Sequence, residues 1–193
     1  MEEAYIDNKT YDRKDFKESP LAKGEYDNCR FNSCDLSNTD LSEIKFLECE
    51  FTACNLSLAM LVNTAFRDIT FKGCKMLGLH FDKCNEFGLS FRFEDCSLNH
   101  SSFYKTKIKN TSFRNSQLLE TDFTQCDLTG SVFDCCNLSG ASFDNSILER
   151  VDFRSAFNYS IDPENNKIKK AQFSLREVPG LLSKYDIEIE LES

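Results

Sequence analysis

From Phe93 to Phe153 every fifth residue is large and apolar: Phe93, Leu98, Phe103, Ile108, Phe113, Leu118, Phe123, Leu128, Phe133, Leu138, Phe143, Leu148 and Phe153. In a chain that is 40% hydrophobic, these hits at preset positions have a chance probability of roughly one in 100,000. An earlier run keeps the same step in another phase, from Tyr11 to Phe81, and breaks at Glu86. The phase then slips by two between Phe91 and Phe93. This predicts a two-residue insertion between Cys84 and Phe93, with a loop at Asn85, Glu86, Phe87 and Gly88.

From Leu98 onward a small residue sits two positions before each large one, as Cys96, Ser101, Thr106, Thr111, Ser116, Thr121 and Cys126 do, with Val151 the larger exception. Inward positions therefore alternate gaps of two and three. A gap of two is one face of an extended strand, and a gap of three needs a corner that resets which side points inward. On a helix the same positions would scatter around the circumference, so a helix is excluded.

The large residues also repeat in kind: Phe31, Leu36, Leu41, Phe46 is followed by Phe51, Leu56, Leu61, Phe66. Identity returns after twenty residues, so four sides of five make one coil and the fold is an all-β square solenoid. Like side chains should stack, Phe31 over Phe51, Phe71 and Phe91, and Phe93 over Phe113, Phe133 and Phe153. Phe113, Phe123, Phe133, Phe143 and Phe153 are the expected core. Coils should stack at the inter-strand spacing of about 4.8 Å, each repeat burying its core only against its neighbours.

The geometry also assigns the ten cysteines. Nine fall in the small inward slot, and Cys135 alone should face outward. They read as small buried hydrophobes rather than as a redox or metal centre, because no CxxC spacing occurs and both histidines, His80 and His100, fall at outward positions. Seven glycines in no phosphate-binding arrangement give no nucleotide cradle. A filled shaft offers no cleft in which a carboxylate could be tuned for acid–base work. An enzyme is not expected, nor any metal or cofactor. The N-terminal residues contain no apolar signal run and no window resembles a membrane span, so the expected location is the cytoplasm, with no membrane partner.

The unit small-(Asp/Asn)-(Leu/Phe)-x-x, seen as CDLTG, CNLSG, CDLSN, TDLSE and TDFTQ, resembles the pentapeptide-repeat family over about residues 6 to 158. That resemblance implies a right-handed quadrilateral β-helix. The stretches FNSCDLSNTDLSEIKFLECEF and FSLREVPGLLSKYDIEIE look like the Qnr-type branch, whose members protect DNA gyrase and topoisomerase IV from quinolones. In that branch the rod dimerises at its C-terminal end and mimics duplex DNA. The present chain lacks the branch's longer projecting loops, since CEFTACNLSLAML keeps the five-residue step. One domain is expected over residues 1–193, with coils over about 6–158 and a cap and dimerisation segment over 159–193.

Net charge is −9, yet it is uneven: residues 121–193 carry 13 acidic and 7 basic side chains, whereas residues 61–120 carry 6 and 9. A DNA mimic must present carboxylates to a basic groove, without itself binding nucleic acid. The outward candidates are Asp122, Asp127, Asp134, Asp144, Glu149 and Asp152. In the tail, LREVPGLLSKY can form a short helix before YDIEIELE alternates apolar and acidic residues as a strand would. Leu181, Leu182, Tyr185, Ile187 and Ile189 are the candidate two-fold interface; a cap folded onto its own coil is the alternative. Three functions fit: a topoisomerase-binding protein, an adaptor solenoid with another protein partner, or an immunity factor against a gyrase-targeting toxin.

Overall fold

A twenty-residue repeat can bury its apolar side only if each coil lies in register on the next, and the computed structural model, which describes residues 4–190, has that register throughout. The chain winds a right-handed quadrilateral β-helix. On the first side, here face A, seven parallel strands pair in order along the rod: Thr10–Asp12, Arg30–Asn32, Glu50–Thr52, Ile69–Lys72, Phe91–Glu94, Ser112–Arg114 and Val132–Asp134. Faces B and C, around Leu36 and Leu41, are joined by isolated parallel bridges such as Asp35↔Asn55 and Ser102↔Asp122. Face D carries the four-stranded parallel sheet Ala4–Asp7, Gly24–Asp27, Lys45–Leu47 and Ala65–Arg67.

The gap of three is made by a left-handed residue at most corners. Asn38, Glu43 and Glu48 have φ of 57°, 65° and 50°, and the pattern recurs every five residues. Asparagine, aspartate and glycine are frequent there because they tolerate this conformation at lowest cost.

Inside, aromatic rings stack along the axis and meet edge-on across it. Phe113 and Phe133 are parallel at 4.8 Å and 3°, while Phe123 meets Phe133 at 5.7 Å and 86°. Both arrangements suit the ring quadrupole. The face A column is continuous from Tyr11 to Phe173, but its member above Phe71 is Phe93, at 5.4 Å and 9°. Phe91, expected in that column, instead pairs with Ile69 in the small slot. The two extra residues are absorbed one corner earlier, where Leu89 fills the interior in place of Glu86 and the chain between Asn85 and Ser90 loops outward.

The small slot selects for chemistry as well as volume. Many of its side chains donate to the carbonyl 23 residues earlier, as Cys54 Sγ does to Phe31 at 3.2 Å, Thr64 Oγ1 to Leu41 at 2.8 Å and Ser146 Oγ to Phe123 at 2.6 Å, while Thr106 and Thr111 donate to the carbonyl three residues back. Cys, Ser and Thr alternate there because each is small and carries one donor. Burial pushes the Cys49, Cys126 and Cys136 thiols up to about 12.

The coils run further than the repeat motif suggests. Bridges Ile147↔Lys167 and Asp152↔Gln172 and the Phe153–Phe173 stack at 5.4 Å carry the ladder to residue 173, past the expected end at 158. In that last coil Ile161 and Asn166 take small-slot positions, and Asn166 Oδ1 accepts the Ser146 N–H at 2.8 Å. The following helical segment is wound as 3-10 turns, Leu175–Leu181 and Ser183–Tyr185. Gly180 lies so close to the Tyr159 carbonyl that a Cβ would collide with it, and its own carbonyl accepts the Ile161 N–H at 2.9 Å. Residues 186–190 make no bridge among the described residues, and Leu191 lies outside them.

Phe133→Asp places an unpaired charge in the ring column and should cost more than about 4 kcal/mol, read as loss of the cooperative thermal melt. Of the ten thiols, Cys135 is exposed and the others are buried. Native protein should therefore label with a thiol reagent at Cys135 alone, and at all ten in denaturant. Because the Asp134 carboxylate beside Cys135 raises its pKa, Asp134→Asn should speed that labelling near neutral pH.

Candidate functional site

The aspartates one position before each large residue have a local task. Asp122 accepts the Thr124 N–H at 2.8 Å, Asp127 that of Thr129 at 3.1 Å, and Asp152 that of Arg154 at 3.0 Å. Each carboxylate closes an Asx turn at its corner. The same bond forms at Asp35 and Asp40, so it belongs to the repeat and is not confined to a functional face.

The six acidic candidates are spread over three faces. Asp134 and Asp152 lie on face A within a ladder of alternating charge: Lys72 sits 3.4 Å from Glu94, Arg114 3.5 Å from Glu94 and 3.8 Å from Asp134, and Arg154 2.7 Å from Asp152. The Arg154 guanidinium holds the Asp152 carboxyl below its usual range. Asp127 and Glu149 lie on face D. Partial burial pushes the Asp127 carboxyl up, but hydrogen bonds from Thr129 and Lys109, the latter 3.1 Å away, outweigh it and lower its pKa. Face C brings together only Asp122 and Asp144, in adjacent coils. Neither makes an ion pair among the described residues; Asp122 also accepts from Ser142 Oγ at 3.1 Å.

The insertion is held rigidly. Asn85 donates to Asn63 at 2.9 Å and accepts the Phe87 N–H at 3.0 Å, while Ser90 Oγ accepts the Asp68 N–H at 2.7 Å. Phe87 projects outward, 75% exposed, with its ring 5.0 Å from the Arg67 guanidinium and its carbonyl accepting Arg67 Nε at 3.3 Å. Gly88 makes the turn at φ 69°. The ordered aromatic on an arginine stem was not readable from the five-residue step, because the step stops where the loop begins. Next to the insertion, an open hollow of about 500 Å³ includes Glu48, Asp68, Arg92 and Lys109 in its lining, two acids and two cations.

At the C-terminal end, Leu181 packs on the core, Tyr185 Oη donates to Glu164 at 2.9 Å, and Lys184 pairs with Asp162 at 2.8 Å and Glu164 at 2.6 Å. The segment through Tyr185, with Leu182 half-buried, thus covers its own last coil. Ile187 and Ile189 remain 55% and 42% exposed.

Both histidines sit on the surface beside a carboxylate, His80 3.1 Å from Asp82 and His100 3.3 Å from Glu120. Among the described residues no three His, Cys, Asp or Glu side chains converge as a metal site. No helix among them is long and apolar enough to cross a membrane.

A family model described as a pentapeptide repeat region matches residues 25–92 and 89–173. No curated protein matches the chain. Among solved structures, two trypsin-treated variants of QnrB1, described as a plasmid-mediated fluoroquinolone resistance protein, are similar. One has a TM-score of 0.60 at 15% identity, covering 97% of this chain and 98% of that one. The other has 0.57 at 16%, covering 98% and 100%. HetL, a pentapeptide repeat protein involved in heterocyst differentiation regulation from the cyanobacterium Nostoc sp. strain PCC 7120, matches at 0.43 and 15%, covering 88% and 85%. Matched by the family model over most of its length and wound in the coils that its spacing demands, the chain belongs to the pentapeptide-repeat family.

Proposed function

We propose that this protein is a non-catalytic, cytoplasmic binder of type II topoisomerase, DNA gyrase or topoisomerase IV, that occupies the enzyme's DNA site and protects it from quinolones. The observation that carries this reading is the filled shaft: inward positions are occupied by rings and small side chains, so recognition has to use the outer surface. On that surface the fixed, exposed Phe87 is a ready anchor for a partner's apolar pocket, in the manner of interface hot spots. Asp122 and Asp144, free of cations on face C, supply carboxylates to a groove that normally holds phosphates. The likeness in fold to QnrB1 supports the same direction, and pairing of two copies through the C-terminal segment would join two acidic ends.

A second reading, an adaptor solenoid for another protein, is favoured by the alternating charges of face A, since a uniform DNA mimic has no use for Arg114 and Arg154. An immunity factor would share the first reading's target and differ only in the poison countered.

Purified protein should restore gyrase supercoiling in the presence of a fluoroquinolone. Phe87→Ala should raise the concentration required by about tenfold or more. Joint neutralisation of Asp122 and Asp144 should raise it by about as much, and neutralising Asp152, already held by Arg154, should change it little. Absence of binding to either topoisomerase at micromolar concentration would sink this reading and leave the adaptor.

A further inference from the structure

One coil breaks the polar run of outward positions on face C. Asp40 and Ser42 of the coil before are followed by Met60 and Val62, and these by His80 and Asp82. With Leu58 at the corner that enters the side, Met60 and Val62 make a run of large apolar residues at consecutive outward positions, 59%, 53% and 57% exposed; among the described residues no other side of a coil has such a run. Leu58 is also the only large aliphatic side chain at a left-handed corner among the described residues, at φ 59°, where asparagine or glycine is the low-cost choice. Gly78 of the next coil leaves room for it, since a Cβ there would stand 2.9 Å from Leu58 Cδ2. Leu77 lies half-buried across the same corner.

The charges of this side lean one way. From Asp40 through Asp144, face C and its two corners carry six carboxylates, Asp40, Glu43, Asp82, Glu120, Asp122 and Asp144, against two lysines, Lys83 and Lys105. Lys23 of the first coil holds Asp40 at 3.4 Å, Lys83 pairs with Asp82 at 2.9 Å, and Lys105 lies over the Tyr104 ring at 4.8 Å. His80 and His100 stand beside Asp82 and Glu120. Glu43, Asp122 and Asp144 form no ion pair among the described residues.

We propose that face C seats a basic amphipathic α-helix of the protein partner, whose large apolar side chains rest on Leu58, Met60 and Val62 and whose lysines or arginines reach Asp122 and Asp144. Asp122 stands three coils beyond Met60, about 14 Å at the inter-strand spacing, so the two contacts lie about ten residues apart on the helix. The backbone of this side is already engaged by the bridges Asp40↔Met60, His80↔Ser102 and Ser102↔Asp122. An added strand therefore has no edge to pair with, whereas a helix satisfies its own backbone and offers side chains alone. A nucleic acid or an anionic membrane meets the carboxylates with like charge. A second copy laid face to face brings the same unpaired acids.

This seat rests on the reading of face C as a protein-binding surface and adds the chemistry of the element that binds. Leu58→Asn, Met60→Ser and Val62→Ser together install residue types that other coils carry at these positions, as at Asn38, Ser102 and Ser42, so the thermal melt should not change. Equilibrium binding of the full chain is measured to DNA gyrase, to topoisomerase IV and to a synthetic helix of about 20 residues, with leucines on one face of its first two turns and lysines on that face about ten residues on. The triple variant should bind about tenfold more weakly. Asp122→Asn with Asp144→Asn should weaken binding at low salt and flatten its salt dependence. If wild type binds a topoisomerase, an equal affinity of the triple variant overturns the seat and leaves the topoisomerase reading standing. If wild type binds neither enzyme, that reading falls and the synthetic helix decides: a tenfold difference between wild type and variant upholds face C, and equal or absent binding overturns it.

Discussion

The hydrogen-bond ladder between coils governs the rest of the molecule. Ser102 donates to Leu79 at 2.8 Å and Phe103 to Asp122 at 2.7 Å, so each coil is tied both to the one before and to the one after. Parallel pairing of this kind tolerates no slip, because a shift of one residue would turn every inward ring to solvent. Stacked phenylalanines, slot donors and outward columns all follow from that register. The insertion illustrates the constraint: two extra residues cannot be accommodated within a side, so they leave the coil at a corner and carry Phe87 outward.

Register also writes the surface. Residues twenty apart become neighbours at one inter-strand spacing, which makes ion pairing a property of columns rather than of local sequence. Glu94, Arg114 and Asp134 form such a column, which engages the candidate Asp134 on face A, while Asp152 pairs within its own coil with Arg154. The net negative charge of the C-terminal third therefore does not amount to one acidic face. It divides into Asp122 and Asp144 on face C, Glu149 and paired carboxylates elsewhere, and an acidic tail beyond the coils, while the last coils of face D are net basic. A rod of this kind can present different chemistry on each side, which suits recognition by shape and by a few anchors.

The cysteines show how a scaffold can imitate a functional motif. Stacked at intervals of twenty, they suggest sulfur chemistry, yet Cys54 and Cys74 each donate to a carbonyl 23 residues back, as Thr64 and Ser146 do. What the slot requires is a small side chain with a donor. Conversely, the C-terminal coil hides from the motif: Ile161, Asn166 and Ala171 keep the spacing of the small slot without its usual residue types, so the repeat unit fades at 158 while the ladder persists to 173.

The five-residue step and the return of identity after twenty were enough to determine the square coil, the inward columns, the nine buried cysteines and the existence of an insertion, because inward packing in a solenoid repeats with the chain itself. What depended on contacts between coils could be decided only by the tertiary structure. Phe93 rather than Phe91 continues the stack, since the choice turns on where the corner yields. Asp127 is held by Lys109 of the neighbouring coil, since pairing turns on side-chain reach. The tail's fate divides at Tyr185, whose bond to Glu164 ties the segment before it to the last coil and leaves Ile187 and Ile189 in solvent. Periodicity is local and survives in the order of residues; partners on another coil are not.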